Sequence, residues 1–178
     1  VNIQKEESRL GGASNVANNI VSLGGHSLLC GVIGHDLFGK EIERISRHKN
    51  IDTFLLKTSS PTITKARIIG GKQQIVRVDY EDKSELNADN KKLFRDTISR
   101  ILPEYDILVI SDYGKGLISE DLCRYLIKLA HKYDKKVIID PKGKNWEKYS
   151  GADIVTPNVK ELSDIVGYTV PNTDRAIE

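Results

Sequence analysis

Residues 106–116 read DILVISDYGKG. An apolar, β-branched run over 106–111 breaks into a polar loop with two glycines, and an amphipathic stretch over 119–133 follows, with Leu122, Leu126 and Leu129 on one face. That is a buried strand, a loop at its carboxyl end, and a helix returning across a sheet. The pattern repeats downstream. KVIID at 136–140 reads as a second strand and runs into Pro141-Lys142-Gly143; DIVT at 153–156 reads as a third, and Pro157-Asn158 opens a helix to about Val166. Short apolar runs alternating with longer amphipathic ones indicate a parallel sheet with crossover helices.

Upstream the same alternation holds. Residues 13–23 form an expected helix with Val16, Ile20 and Leu23 on its inner stripe, stopped by Gly24-Gly25. A strand is expected at 27–33, and Asp36 caps a helix to about Lys49 with Leu37, Ile42 and Ile45 inward. A strand at 51–56 and a helix at 88–101 complete the set. Residues 61–80 (PTITKARIIGGKQQIVRVDY) interrupt it: two β-branched runs flank Gly70-Gly71, a hairpin that projects from the main sheet.

The 178 residues suffice for one domain with a core, and 39% hydrophobic with 29% charged residues is ordinary for a globular chain. The 27 basic residues are interspersed with 25 acidic ones, so no nucleic-acid partner is expected. No apolar run reaches the roughly 18 residues of a membrane span, and the opening residues do not read as a signal peptide. Cys30 and Cys123 sit in apolar stretches and read as buried reduced thiols of a cytoplasmic protein, a disulfide or metal pair being the alternative. The chain starts without methionine and ends in NTDRAIE, residues 172–178, which read as the start of a helix; we therefore read it as a fragment.

Five stretches carry chemistry. Gly11-Gly12 before a helix lets a small polar ligand approach the backbone, with Asn15 in the first turn to meet a hydroxyl; a tight turn alone also explains the glycines. In the hairpin, Lys65 and Arg67 share a face. A three-residue loop would set Lys65 opposite Arg77 and make the three cations converge, whereas a two-residue loop would turn Arg77 to the other face. Converging cations suit a phosphate monoester; charges that blunt an exposed edge are the alternative. Asp112 and Lys115 lie just past a strand end, where open α/β sheets bind ligands, and suit a sugar hydroxyl and a phosphate. Asp140-Pro141-Lys142 occupies another strand end. Asn158 and Glu161 have capping-box spacing, and equally place an amide and a carboxylate at a helix N-terminus, where Glu161 can order Mg²⁺ through water.

In their order and wording, GGASNVANNIVSLGG, PTITKAR, QQIVRVDYE, SDYGKG, IDPKG and TPNVKE closely resemble the ribokinase-like (PfkB) sugar kinases, and most closely their heptose 7-phosphate kinase branch, from about residue 8 to 167. The resemblance implies a ribokinase-like three-layer α/β/α sandwich with a β-hairpin lid, here incomplete, and a homodimer through the lid. It implies ATP and Mg²⁺ as cofactors and phosphorylation of the anomeric hydroxyl of D-glycero-D-manno-heptose 7-phosphate, a step towards ADP-heptose and lipopolysaccharide core. On that resemblance, Gly11, Gly12 and Asn15 contact the sugar, Lys65, Arg67 and Arg77 the sugar and its distant phosphate, and Asn158 and Glu161, with Lys142 nearby, serve the ATP phosphates and magnesium.

Two departures stand out. The family's opening strand, with a sugar-binding Asp, does not precede Val1. The family's G-A-G-D stretch, which supplies the catalytic base and amides that stabilise the transferring phosphoryl group, is absent, so no catalytic residue is assigned within 1–178 and little activity is expected of the chain alone. The alternatives are a kinase for another sugar or sugar phosphate, a non-catalytic sugar-phosphate-binding module, and an unrelated doubly wound domain.

Overall fold

The computed structural model describes residues 2–71, 73–82 and 84–170, which leaves the helix expected at 172–178 outside the described residues. The chain divides into two compact units, 1–84 and 85–178.

In the first unit, α1 (Ala13–Ser22) leads to β1 (Leu28–Gly34), α2 (Leu37–His48) and β2 (Asp52–Thr58). β1 and β2 pair in parallel, Leu28 opposite Asp52 through Gly34 opposite Thr58. Their core gathers Ala17, Leu29 and Ile51, with Leu10, Ala13, Val21, Ile42 and Leu55 packed around them. The inner stripe of α1 therefore differs from the expected one. Small Ser14 and Ala17 are its buried residues, whereas Leu23, at the C-cap, is 89% exposed. Leu37 is likewise 79% exposed. It lies about 140° round the helix from Ile42, so both cannot face the core; the buried positions of α2 are Gly39 and Ser46.

Asp36 does more than cap α2. One carboxylate oxygen accepts the Gly39 N–H at 2.8 Å and the Thr62 hydroxyl at 2.7 Å; the other accepts the Thr62 N–H at 2.7 Å. The Thr62 hydroxyl in turn accepts the Gly34 N–H at 2.8 Å. One carboxylate thus ties the end of β1, the start of α2 and the root of the hairpin. A Cβ on Gly34 would come within 2.6 Å of Asp36 and 2.7 Å of the Ser60 carbonyl, and one on Gly39 within 2.6 Å of the Gly34 carbonyl. Glycine is required at both positions by close approach.

The hairpin is β3 (Thr64–Gly70) and β4 (Gln73–Tyr80), an antiparallel pair that forms a two-stranded sheet of its own. Gly70 pairs with Gln73, the two-residue connection, with Gly71 left-handed at φ 61°. A bulge at Ile75 then shifts the register, so that Ile68 meets Val76, Arg67 meets Arg77 and Lys65 meets Asp79. The bulge undoes the parity that a two-residue loop alone imposes. Lys65, Arg67 and Arg77 share one face, but Lys65 stands opposite Asp79 rather than Arg77.

In the second unit, α3 (Ala88–Ile101), a 3-10 turn at 102–104, β5 (Ile107–Ser111), α4 (Glu120–Lys132), β6 (Lys136–Asp140), a 3-10 turn at 147–149, β7 (Ile154–Val155) and α5 (Val159–Val166) follow in order. The sheet is parallel, ordered β5-β6-β7. α4 buries Leu122, Cys123, Leu126, Ile127, Leu129 and Ala130, and Val137 and Ile139 of β6 are fully buried. Both cysteines are free, and burial pushes the Cys30 thiol to about 12 and the Cys123 thiol to about 11, leaving them unreactive at neutral pH. Among the described residues no helix is long and apolar enough to cross a membrane.

Asp36→Ala removes a cap and leaves the buried Thr62 amide without its acceptor. We expect it to lower unfolding free energy by about 2–4 kcal/mol, read from urea denaturation; an unchanged midpoint would remove the network from the account of stability.

Candidate functional site

The sheet of the second unit sets three loops side by side. Ser111 pairs with Asp140, and the Asp112 N–H donates to the Asp140 carbonyl at 3.0 Å, so the loops after β5 and β6 leave from adjacent points. The Thr156 N–H donates to the Ile139 carbonyl at 2.9 Å and brings the start of α5 to the same edge. This is the carboxyl edge of a parallel sheet, the usual place for a ligand in such folds.

At that edge Asn158 caps α5: its side chain accepts the Glu161 N–H at 2.9 Å, and Glu161 accepts the Asn158 N–H at 3.1 Å, a complete capping box. The Lys142 ammonium reaches the other oxygen of Glu161 at 3.0 Å. Burial works to raise the Glu161 carboxyl, but the Asn158 amide and the Lys142 charge outweigh it and leave it below its ordinary value. Asp140 behaves oppositely. Burial, then the charge of Glu161, raises its carboxyl, with Lys142 only partly offsetting them. Two carboxylates and one ammonium thus converge beside a helix N-terminus.

Asp112, read in the sequence as a sugar-facing carboxylate, is turned inward and is 3% exposed. Oδ1 accepts the Gly114 N–H at 2.7 Å; Oδ2 accepts the Lys148 ammonium at 2.5 Å and the Tyr149 hydroxyl at 2.8 Å. The reason is its parity. Ile110 and Asp112 project to the buried face of β5, where an unpaired carboxylate would be costly and three donors are supplied. Gly114 and Gly116, at φ 61° and 90°, let the chain fold back so that Lys115 lies half-buried in the loop.

In the first unit, Gly12 adopts φ 56° and ψ −137° as the residue before α1, a conformation that calls for glycine. A Cβ on Gly11 would meet nothing, and Asn15 is exposed in the first turn. On the lid, Lys65 is held by Asp79 at 3.0 Å and Glu81 at 3.1 Å, and Arg77 by Asp79 at 2.9 Å. Arg67 makes no ion pair among the described residues. The lid's root is fastened at Thr62 and again where Ser60 donates to Asp82 at 2.6 Å; the hydroxyls of Ser60 and Ser84 and the Ser84 amide hold the Asp82 carboxyl down at about 2.

The chain matches the pfkB family carbohydrate kinase domain over residues 2–178. It belongs to that family. It is 46% identical over 162 residues to the bifunctional protein HldE of a Helicobacter pylori strain, covering 90% of this chain and 35% of the relative. It is 38% identical over 174 residues to the HldE of a Nitratiruptor species, covering 98% of this chain and 37% of that one. The chain thus spans little over a third of the curated relatives it matches. Among solved structures, a possible 1-phosphofructokinase of Thermotoga maritima superposes with a TM-score of 0.75 at 20% identity, over 99% of this chain and 60% of that one. The tetrameric inhibited form of Escherichia coli phosphofructokinase-2 gives 0.70 at 20% identity, over 99% and 61%. These likenesses establish the ribokinase-like α/β fold class, present here in part.

The sequence did not single out Lys148 and Tyr149, which neutralise and orient Asp112 from a 3-10 turn without periodicity. Nor did it single out the further role of Asp36, although Gly34-x-Asp36-x-x-Gly39 is a legible spacing of two glycines around a cap.

Glu161 should titrate below the roughly 4.3 of a free glutamate. A depressed folded value means that its contribution is complete above the unfolded value and is lost as pH falls through the folded one. Carbon-13 detection of its carboxyl should show that midpoint, and Lys142→Ala should move it upward.

Proposed function

We propose that this chain is part of an ATP-dependent sugar kinase that phosphorylates the anomeric hydroxyl of D-glycero-D-manno-heptose 7-phosphate, giving the 1,7-bisphosphate on the route to ADP-heptose and lipopolysaccharide core in the cytoplasm. The observation that carries the kinase reading is the Lys142–Glu161–Asn158 cluster, a cation and an acid at a helix N-terminus on the carboxyl edge of a parallel sheet. Such an arrangement suits a polyphosphate. The heptose is supported by the likeness to the HldE proteins.

Magnesium fits the donors present. Asp140 and Glu161 offer hard oxygen ligands; burial, and then the charge of Glu161, raise the Asp140 carboxyl, and a cation would offset the second of these. When bound, it would offset charge on the transferring phosphoryl group. Lys142 and the α5 N-terminus would orient the phosphates, and Gly11, Gly12 and Asn15 would meet the sugar. Lys115 serves a phosphate in this reading. Asp112 acts through the loop it holds. Since G-A-G-D does not occur among the 178 residues, no base is assigned to this chain.

The lid supplies phosphate selectivity through Arg67. Lys65 and Arg77 are already partnered by carboxylates, so an incoming phosphate must compete for them, whereas Arg67 is available. The opposite face of the hairpin carries Ile68, Val76, Val78 and Tyr80, all substantially exposed. An isolated two-stranded sheet is marginal, and a second copy packed on that apolar face would complete it as a lid-to-lid homodimer.

ADP release by the complete gene product is the test, with the heptose 7-phosphate beside fructose 6-phosphate and ribose. Turnover with the heptose alone is expected. Preference for another sugar would reassign the substrate, and sugar-phosphate binding without turnover would leave a binding module. Arg67→Ala should raise the KM for the sugar phosphate about tenfold or more and spare that for ATP, the scale of one lost charge-assisted contact; Arg77→Ala should do less. Val78→Lys should yield monomers in sedimentation.

A further inference from the structure

The hydroxyl of Tyr149 joins the two loops that carry cations at the sheet edge. It donates to Asp112 at 2.8 Å, and it accepts the Lys142 N–H at 2.9 Å, with the Lys142 carbonyl 3.1 Å away. A phenol has one proton and here has a carboxylate to give it to, so the Lys142 carbonyl is the lesser contact. Asp112 is simultaneously bonded to the Gly114 amide, within the loop that carries Lys115. The ring of Tyr149 is 3% exposed, set edge-on to Trp146 at 6.5 Å, with the Lys148 ammonium 4.9 Å from its centroid. Trp146 donates to the Gly143 carbonyl at 3.1 Å, just beyond Lys142. Burial, with Asp112 beside it, keeps the hydroxyl protonated far above any working pH. The bond from Lys142 to Tyr149 is a backbone contact, which leaves the Lys142 side chain free to reach Glu161.

We infer that Tyr149 is a positioning residue for nucleotide binding: its hydroxyl, oriented by Asp112, fixes the backbone of Lys142 and thereby aims the Lys142 ammonium at the phosphate site beside Glu161. This rests on the reading of Lys142 as a nucleotide contact. Packing alone would need only the ring, and any large apolar side chain would then serve. The hydroxyl instead makes its bonds to a buried carboxylate and to the backbone of the loop whose Lys142 reaches Glu161 at the proposed phosphate site. An error of about 1 Å in such a cation is enough to weaken an aligned contact strongly.

The test uses the complete gene product and its Tyr149→Phe, Lys142→Ala and double variants. Calorimetry gives the Kd of a non-hydrolysable ATP analogue with Mg²⁺ and, separately, of the sugar phosphate. Tyr149→Phe should weaken the analogue about five- to tenfold, leave the sugar phosphate unchanged, and add nothing to Lys142→Ala. Equal weakening of both ligands, no weakening of either, or full additivity with Lys142→Ala would overturn the inference and leave Tyr149 a structural residue. If Lys142→Ala itself leaves the analogue Kd unchanged, the nucleotide role of Lys142 fails, and this inference with it. Should Tyr149→Phe not fold, Asp112→Asn tests the same link. It should weaken the analogue; weakening confined to the sugar phosphate would place Asp112 against the sugar and overturn the inference.

Discussion

Ser111 and Asp140 stand opposite each other at the ends of β5 and β6, and that register governs the candidate edge of the second unit. It sets Asp112 one residue past a strand end on the buried face, with Asp140 on the neighbouring strand. Two carboxylates this near one another, both partly withdrawn from water, repel. The fold separates their environments. Asp112 is turned inward and given an ammonium, a phenol and an amide. Asp140 is given no such set of donors: burial, and then the charge of Glu161, raise its carboxyl, and Lys142 offsets them only in part. One carboxylate is thereby committed to holding loops, and the other remains available to a ligand that brings positive charge.

The first unit uses the same device with a different result. The Asp36 carboxylate gathers donors from β1, α2 and the hairpin root, and the resulting bonds outweigh burial and hold its carboxyl below its ordinary value. The hairpin has little else to secure it at that end, since its strands are largely exposed and, among the described residues, pair only with one another. Fastening at Thr62 and at Ser60–Asp82 fixes where the lid begins while leaving its length free of other strands. The hairpin thus combines a firmly held root with a weakly held blade.

The elements were readable because they are periodic. Leu122, Leu126 and Leu129 give α4 its face, and the β-branched runs at 107–111 and 136–140 have no competing interpretation. The errors fall where a small residue does what a large one was expected to do. Ser14 and Ala17 are the buried residues of α1, and Leu23 is left outside; a hydrophobicity stripe favours the larger side chain and misplaces the face. The lid cations were legible, but their partners were not. Whether Arg77 shares a face with Lys65 turns on the one-residue bulge at Ile75, and bulges have no reliable local signature. Lys148 and Tyr149 were invisible for a different reason: they meet Asp112 across 36 and 37 residues of sequence, and only the fold brings them together.

The lid's charges show why a count of cations misleads. Lys65, Arg67 and Arg77 suggest a threefold positive surface, yet Asp79 and Glu81 return most of that charge on the same face. Were all three unpaired, the blade would attract any anion and its own strands would repel across the Arg67–Arg77 pair. Asp79, beside Arg77 and opposite Lys65, relieves that repulsion. On the proposed reading, a phosphate would gain a full charge-assisted contact at Arg67 and only an exchange of partners at Lys65 and Arg77. Selectivity would follow from this inequality: an anion that reached Arg67 would be rewarded, and one that met only the paired cations would gain little.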